Sequence, residues 1–402
     1  MDFKQKLIEE NTVELVDSTS VIKKIQKGFD KLKVKVEAVL GGSVAKGTFL
    51  KNYDMDIFVR FYNNPSSDML ERVLKKEFKK VDRLHGSRDY FQIVHAGKRY
   101  EVVPVLKIKK SEQAENVTDV SMLHVAWVNK HLKNPGEVKL AKLFCKAQKV
   151  YGAESYINGF SGYLLEILVV NYGSFDKLIN AAAKWKPRLV IDAAKHYKNH
   201  DEVFKSLNAS KLVSPIIVID PVQKSRNAAA AVNAETFNKL VESAKRYARR
   251  PSIRFFIKKR FSLEELRKKA KNAEIVALKV EPVKGKEDVV YTKLLKAYEF
   301  LKANIEKKDF NIIKSEFEVD ESIFWFIVNP KELPAQMTVV GPKKDVRPEF
   351  IRDFKKKYKK IKLEKGRYTA VAKRKYLTPM QLVKDLIRHE YFKERVRRVC
   401  IC

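Results

Sequence analysis

The feature that most constrains this chain is a glycine turn followed by a strand with two aspartates, in the segment GGSVAKGTFLKNYDMDIFVRF at 41–61. Gly41 and Gly42 let the backbone turn sharply and come close to a ligand. Asp54 and Asp56 stand two positions apart in DMDIFVRF, so on a strand their carboxylates project from the same face. The segment therefore predicts part of a compact α/β unit, with a polar site where the turn meets the second strand.

The residues around the two aspartates are suited to binding phosphate and a metal ion. Ser43 offers a hydroxyl and a backbone N–H, and Lys46 is expected in the first turn of a short helix, whose N-terminus favours an anion. Two neighbouring carboxylates repel each other unless a divalent cation lies between them. Mg²⁺ prefers such oxygen ligands and keeps positions free for substrate phosphates. This combination predicts nucleotidyl transfer, in which metal ions activate the attacking hydroxyl and steady a triphosphate.

Glu101 is the candidate for a third carboxylate. It lies in RYEVVPVLKI at 99–108, where its neighbours Val102, Val103 and Val105 are apolar, so a charged residue there needs a partner. Taken alone, it could equally be an edge-strand glutamate that faces water. The presence of Asp54 and Asp56 favours the metal role.

The rest of the chain falls into distinct regions. Residues 1–30 have apolar residues at helical spacing (Leu7, Val13, Val16, Ile22 and Ile25), the stretch 120–250 is mostly helical, and strands and helices alternate beyond 260. A helix over 379–399 is predicted, with Thr378 as its cap and Pro379 at its first position. The predicted domains are 1–120 (catalytic), 121–255 (helical, completing the nucleotide pocket) and 256–402 (α+β body and basic tail).

Charge and cysteine content narrow the classes of protein. Lys and Arg number 83 against 49 Asp and Glu, a net charge of +34, which indicates a polyanionic partner such as nucleic acid. Between Arg352 and Lys375, twelve of 24 residues are basic and aromatic residues are interleaved, as in RNA-binding surfaces, although such runs are also solvated faces. Cys145, Cys400 and Cys402 cannot make a disulfide framework, so a reducing, cytoplasmic compartment is expected, with the last two in a frayed tail. No membrane span or signal peptide is predicted.

Two competing motifs are incomplete. The spacing of Gly42 and Gly47 resembles that of a P-loop, but Thr48 stands where the lysine belongs. His196 and His200 are four apart without the glutamate of a zinc-protease helix, so a solvated helix face is favoured there.

With these residues in view, GGSVAKGT and DMD resemble the signature of the polymerase-beta-type nucleotidyltransferase superfamily. Three further blocks resemble the archaeal, class I CCA-adding tRNA nucleotidyltransferases: TDVSMLHVAWV (118–128), VYGAESYINGFSGYLLEILVVNYGSF (150–175) and IDPVQKSRNAAAAV (219–232). The resemblance is dense over 40–232. It implies a polymerase-beta-like palm, a helical central domain and a small α+β C-terminal domain, and hence a multidomain α/β and α+β fold.

The resemblance also implies roles for individual residues. Asp54, Asp56 and Glu101 match the metal-binding carboxylates, and the third is also placed to help deprotonate the tRNA 3′-hydroxyl. The matches to nucleotide contacts are Ser43 and Lys46 for the triphosphate, His124, Lys142 and Tyr151 for further contacts, and Arg226 for the base edge.

The residues alone leave several of these roles open, and two positions depart from the family. Lys142 could lie on a solvated helix face, His124 could be a satisfied core histidine, and Tyr151 could simply pack. The family commonly has arginine at position 46 and aspartate at 101; Lys46 keeps the charge but loses the planar fork, and Glu101 is one methylene longer.

The predicted function is template-independent addition of C, C and A to tRNA from CTP and ATP with Mg²⁺, by in-line attack of the 3′-hydroxyl on the α-phosphorus. The expected partners are tRNA and the two nucleotides, with a homodimer as a further possibility and no membrane. The alternatives are a poly(A) polymerase or oligoadenylate-synthetase-like enzyme, and a non-catalytic RNA-binding protein with a relict transferase domain.

Overall fold

The chain forms two compact units, Met1–Lys259 and Arg260–Cys402, in a computed structural model. The structure describes residues 2–13, 15, 17–51, 53–270 and 273–402. Within these ranges, no helix is both long and apolar enough to cross a membrane.

The first unit begins with helices and a five-stranded sheet. The sheet has the order β1-β2-β5-β4-β3, in which β2 and β5 are parallel and the other neighbours are antiparallel. A core of fully buried side chains, including Phe29, Phe61 and Phe91, packs α2 and α4 on this sheet. The elements are α1 (Phe3–Glu10), α2 (Thr19–Lys31), β1 (Val36–Leu40), α3 (Gly42–Ala45), β2 (Met55–Phe61), α4 (Ser67–Glu77), β3 (Val81–Leu84), β4 (Tyr90–His95) and β5 (Lys98–Leu106).

The remainder of the first unit is mostly helical. Local sequence fixes several helix starts: Asn134, Ser161 and Asn233 each accept a hydrogen bond from a backbone N–H of the helix that follows. A second core, centred on Phe144, Phe160 and Phe175, joins these helices. The elements are α5 (Ser121–His131), α6 (Pro135–Ala147), α7 (Gly162–Tyr172), α8 (Phe175–Ala182), β6 (Leu189–Ile191), α9 (His200–Ser206), β7 (Ile216–Val218) and α10 (Ala234–Arg249).

The second unit is rich in β-structure. It contains a four-stranded sheet of order β14-β8-β10-β9 and a three-stranded sheet of order β11-β13-β12. Most of the basic run at 352–375 lies in α13 and in the smaller sheet. The elements are α11 (Leu263–Lys269), β8 (Glu274–Pro282), α12 (Glu287–Glu306), β9 (Asn311–Glu318), β10 (Ile323–Asn329), β11 (Gln336–Lys343), α13 (Pro348–Lys357), β12 (Ile361–Glu364), β13 (Arg367–Lys373), α14 (Pro379–Leu386), α15 (Glu390–Lys393) and β14 (Val396–Ile401).

These features confirm the predicted multidomain α/β and α+β class, but four local predictions were wrong. The helix over 1–30 is two helices, because α1 ends at Glu10 with Asn11 as its cap and α2 begins only at Thr19; Val16 lies outside the described residues. Lys46 is the C-terminal cap of α3 and does not lie in its first turn.

The predicted helix over 379–399 was also wrong, and so was the frayed tail. Thr378 does cap α14 in a full capping box with Gln381, but this helix ends at Leu386. The chain then returns as β14, which pairs with β8. Cys400 lies within this strand, and the N–H of Cys402 donates to the carbonyl of Ala277 (2.9 Å).

Candidate active site

The predicted carboxylates lie where β2 and β5 run side by side. Asp56 on β2 is directly opposite Glu101 on β5, because the parallel register pairs these two positions. Gln92 on β4 is opposite Glu101 on its other side and donates to the Glu101 Oε1 (2.8 Å). Asp54 precedes β2 and is exposed. The sequence left open that Glu101 lies on an edge strand and faces water. The edge-strand part of this alternative was wrong, because β5 is an inner strand of the sheet.

The glycine turn is closely attached to this group. The N–H of Gly41 donates to the Asp56 carbonyl (2.8 Å), which fixes the turn on β2. Gly42 has a φ of +57°, and a Cβ added there would come within 1.6 Å of the Asp56 Oδ2. A side chain at position 42 would thus be strained and would also displace the carboxylate. Ser43 follows at the start of α3, beside this turn.

Electrostatics shows that the carboxylates are neighbours. Burial, together with the charges of Glu101 and Asp54, raises the pKa of Asp56 to about 6, while the Lys46 charge opposes the shift. In the part of the chain that the structure describes, no three His, Cys, Asp or Glu side chains are gathered closely enough to hold a metal ion. The three carboxylates therefore form an electrostatically coupled group that is not closed into a ligand set. A divalent cation would relieve the repulsion between neighbouring carboxylates of this kind.

Lys46 and Lys142 converge on one buried acid, Glu166 of α7. The Lys46 Nζ lies 2.5 Å from Glu166 Oε2, and the Thr48 hydroxyl donates to Oε1 (2.5 Å). The Lys142 Nζ lies 3.6 Å from the same carboxylate and donates to the Thr48 carbonyl (2.9 Å). The solvated-face alternative for Lys142 was wrong, because the residue is only 3% exposed.

Burial and charge set the protonation of this group. Burial lowers the pKa of Lys142 to about 8, and the Glu166 carboxylate opposes that shift. Tyr151 lies in the same region, since a Cβ added at Gly162 would be 3.1 Å from its hydroxyl and 3.3 Å from the Lys142 Cε. Burial raises the pKa of the Tyr151 phenol, so this group stays neutral.

A second buried acid, Asp220, contacts Arg226, which is predicted to meet the base edge, and lies beside His124, which is predicted to make a further nucleotide contact. It accepts from the Arg226 Nη1 (2.7 Å) and the Tyr163 hydroxyl (3.1 Å), and lies 3.1 Å from the His124 Nε2. The His124 and Tyr163 rings stack at 4.1 Å. Burial would raise the pKa of Asp220, but the hydrogen bond and charge of His124, the Val222 N–H and the Arg226 charge lower it to about 2.

Tyr163 connects the two acidic centres. Its ring centroid lies 5.7 Å from the Lys46 Nζ and 6.0 Å from the guanidinium carbon of Arg226. The predicted residues therefore form one continuous group, with the carboxylates and Lys46 at one end and Arg226 at the other. His124 has the hydrogen-bond partner expected of a satisfied histidine, and this does not exclude the predicted nucleotide contact.

Sequence reasoning missed Thr48, Tyr163, Glu166 and Asp220. A signal was available for Glu166, because it is the single charged residue in the apolar helix GYLLEILVVNY. Asp220 similarly follows the apolar strand IIV.

Three family models match consecutive parts of the chain. A nucleotidyltransferase domain matches residues 22–122, the second domain of tRNA nucleotidyltransferase matches 136–257, and the C-terminal domain of the CCA-adding enzyme matches 272–398.

Whole-chain comparisons agree with these models. The CCA-adding enzyme of Methanocaldococcus jannaschii is 30% identical over 378 residues, covering 88% of this chain and 81% of that protein. The CCA-adding enzyme of Thermoplasma acidophilum is 29% identical, with 96% and 87% covered. That of Nanoarchaeum equitans is 41% identical over 60% of this chain and 65% of its own length. Among solved structures, the Cid1 poly(U) polymerase with Mg 3′-dATP bound has a TM-score of 0.50 at 15% identity, covering 64% of this chain and 98% of that one, which shows a shared fold.

Proposed function

The chain belongs to the family of archaeal-type CCA-adding enzymes, and we propose that it joins C, C and A to the 3′ end of tRNA from CTP and ATP at the site described above. It is a CCA tRNA nucleotidyltransferase, and its activity is CCA addition at the tRNA 3′ end. The observation that carries the site assignment is the pairing of Asp56 with Glu101 on adjacent strands beneath the glycine turn.

Asp54, Asp56 and Glu101 would hold the metal ion. The nucleotidyltransferase superfamily generally uses divalent metals, and we assign Mg²⁺ because carboxylate oxygens are its preferred ligands. The pKa of Asp56 is raised first by burial and then by the charges of Glu101 and Asp54, and that negative charge is what a cation would neutralise. When bound, the ion would supply charge stabilisation for the triphosphate and for the attacking oxygen.

The chain's own residues would position the substrates. Ser43 and Lys46 would contact the triphosphate, because Ser43 lies beside the glycine turn and the Lys46 charge acts on Asp56. Lys142 shares the Glu166 carboxylate with Lys46 and would supply a second cation. Arg226 would face the base, since its side chain is 42% exposed while one nitrogen is fixed on Asp220. The tRNA 3′-hydroxyl would attack the α-phosphorus in line, with Glu101 placed to accept its proton and pyrophosphate as the leaving group.

The basic second unit would bind the acceptor end of tRNA. Its α13 ends in three consecutive lysines, and Phe354 and Tyr358 lie beside them. Such a surface suits A-form phosphates with some stacking. The cytoplasmic location, the homodimer and the domain boundaries at 1–120, 121–255 and 256–402 stay predictions.

A primer-extension assay tests the function. tRNA that lacks its last three nucleotides is incubated with Mg²⁺ and CTP, with ATP, or with both. We expect two added residues with CTP alone, none with ATP alone and three with both. Asp56→Asn should abolish incorporation while tRNA binding persists, because only the charge is removed. Asp68→Asn, an exposed carboxylate on α4, is the matched control and should remain active.

Two results would contradict the proposal. ATP-only tailing of arbitrary RNA would indicate a poly(A)-polymerase-like enzyme. Tight tRNA binding without incorporation of either nucleotide would indicate an RNA-binding relict.

A further inference from the structure

The buried carboxylate of Glu166 has a cost that its surroundings must offset. Its side chain is 1% exposed, and its helix neighbours Leu164, Leu165, Ile167 and Leu168 are all buried. Removing a carboxylate from water is unfavourable unless charged and hydrogen-bonding partners replace the water.

Those partners come from two distant segments. Lys46 and Thr48 follow the glycine turn, and Lys142 lies on α6. Lys46 and Thr48 are 120 and 118 residues away from Glu166 in the sequence. Both carboxylate oxygens are used, with Lys46 on Oε2 and with Thr48 and Lys142 on Oε1. Lys46 and Thr48 are thereby fixed relative to α7 by short polar contacts, and Lys142 by a longer ion pair of 3.6 Å. All three contacts lie in a buried setting, where polar contacts are strongest.

We propose that Glu166 is a positioning residue for the nucleotide triphosphate, which acts by holding Lys46 and Lys142 in the orientation that phosphate oxygens require. This inference rests on the proposed function. One carboxylate is set against two ammonium groups, so the cluster keeps a net positive charge for an incoming polyanion. An ammonium has three N–H donors, so Lys46 keeps donors free for phosphate while one is directed to Glu166.

Glu166 also supports the charged state of Lys142. Burial favours the neutral amine, and the carboxylate opposes this effect. Without that negative charge, Lys142 and Lys46 would repel each other with no buried counter-ion between them. The loss should therefore weaken recognition of the triphosphate, which CTP and ATP share, and leave recognition of the base unchanged.

Steady-state kinetics of Glu166→Gln test the proposal. The amide keeps the size of the side chain and can still accept from Thr48, but it lacks the charge. We expect KM to rise about 10- to 100-fold for both CTP and ATP in equal proportion, the range for loss of a charge-assisted hydrogen bond, with a much smaller change in kcat. Inhibition by CMP, which has no β- or γ-phosphate, should be unchanged. The KM for tRNA should also be unchanged.

A matched control separates positioning from general loss of a buried acid. Glu318→Gln removes another buried carboxylate, 5% exposed, which accepts from the Trp325 indole (3.1 Å) in the second unit. It should lower the melting temperature without changing the nucleotide KM. If Glu166→Gln does not fold, Glu166→Asp keeps the charge on a shorter side chain, and an intermediate rise in KM is expected.

Three outcomes would overturn the inference. The first is that Glu166→Gln has the same nucleotide KM as Glu318→Gln. Where Glu166→Gln does not fold, the same comparison is made with Glu166→Asp. The second is an equal weakening of CMP and CTP binding. The third is an additional loss when Glu166→Gln is added to Lys46→Met and Lys142→Met together, because a residue that acts through these two lysines should add little once both are gone. A wild-type enzyme that joins neither nucleotide would contradict the proposed function instead.

Discussion

Replacing Asp220 with Asn should destabilise the first unit in a way that depends on pH. The Asp220 side chain is fully buried and accepts hydrogen bonds from Arg226, Tyr163 and the Val222 N–H. Burial alone would raise its pKa, but His124, the Val222 N–H and the Arg226 charge lower it from 3.8 to about 2. A fall of about 1.8 in pKa corresponds to about 2.5 kcal/mol at neutral pH, since a change of one in pKa is about 1.4 kcal/mol.

The sign of the pH dependence follows from that shift. Because the folded-state pKa lies below the unfolded value, the stabilisation is fully present above about pH 4. It is lost as the pH falls towards about 2, where the folded protein takes up the proton. The stability difference between wild type and Asp220→Asn should thus be constant between pH 5 and 8, at about 2.5 kcal/mol, and shrink below pH 4.

Urea unfolding followed by circular dichroism at a series of pH values measures this difference. Asp176→Asn is the control, because Asp176 is 51% exposed and pairs with Lys4 at the surface; the expected loss is below about 0.5 kcal/mol. A difference for Asp220→Asn that matches this control, or one that grows below pH 4, would refute the reasoning. The same variant should also discriminate less well between CTP or ATP and the other two nucleotides, because Arg226 loses its fixed partner.

Three further outcomes are expected. Native protein should react with two equivalents of a thiol reagent, at exposed Cys400 and Cys402, and a third only on unfolding, because Cys145 is buried and burial raises its pKa; three fast thiols would contradict this. Lys46→Arg should keep kcat/KM within about threefold of wild type, because a guanidinium can bind both carboxylate and phosphate, and a tenfold loss would argue against it. Replacing the three lysines at the end of α13 with Gln should reduce the salt dependence of tRNA binding by about 2 to 3 in log–log slope; an unchanged slope would place the phosphate contacts elsewhere.

Local sequence signals predicted the elements whose stability is local. The Thr378 cap is present, with a hydrogen bond from the backbone N–H of Gln381, because capping depends only on neighbouring residues. The β2 strand was also predictable and contains Asp56, but Asp54 precedes the strand, so alternation along β2 does not place the two aspartates on one face.

The errors arose where distant pairing decides the structure. Residues 396–399 were predicted as the end of a helix, and Cys400 and Cys402 as a frayed tail. Residues 396–401 instead form β14, because β8, more than a hundred residues earlier, offers an edge with which they pair. Periodicity within a segment carries no information about such an edge. Likewise, apolar spacing over 1–30 did not reveal that α1 ends at Glu10.

The same limit applies to the candidate site. The carboxylates could be predicted because they lie within one motif and one adjacent strand. Glu166 and Asp220 could not be assigned partners, because these partners are distant in sequence. Lys46 and Thr48 lie 120 and 118 residues from Glu166, and Tyr163 and His124 lie 57 and 96 residues from Asp220.

The helix α7 explains how both ends of the site share one support. Tyr163 and Glu166 are three residues apart, so they lie on the same face of α7. Through Glu166 this face fixes Lys46, and through the Tyr163 hydroxyl it reaches Asp220 and hence Arg226. A rigid helix that carries both contacts would hold Lys46, which is proposed to contact the triphosphate, and Arg226, which is proposed to face the base, at a constant separation. Such a fixed separation suits a pocket that must accept two different bases on one common triphosphate, because the shared part of the substrate can be held while the base is read independently.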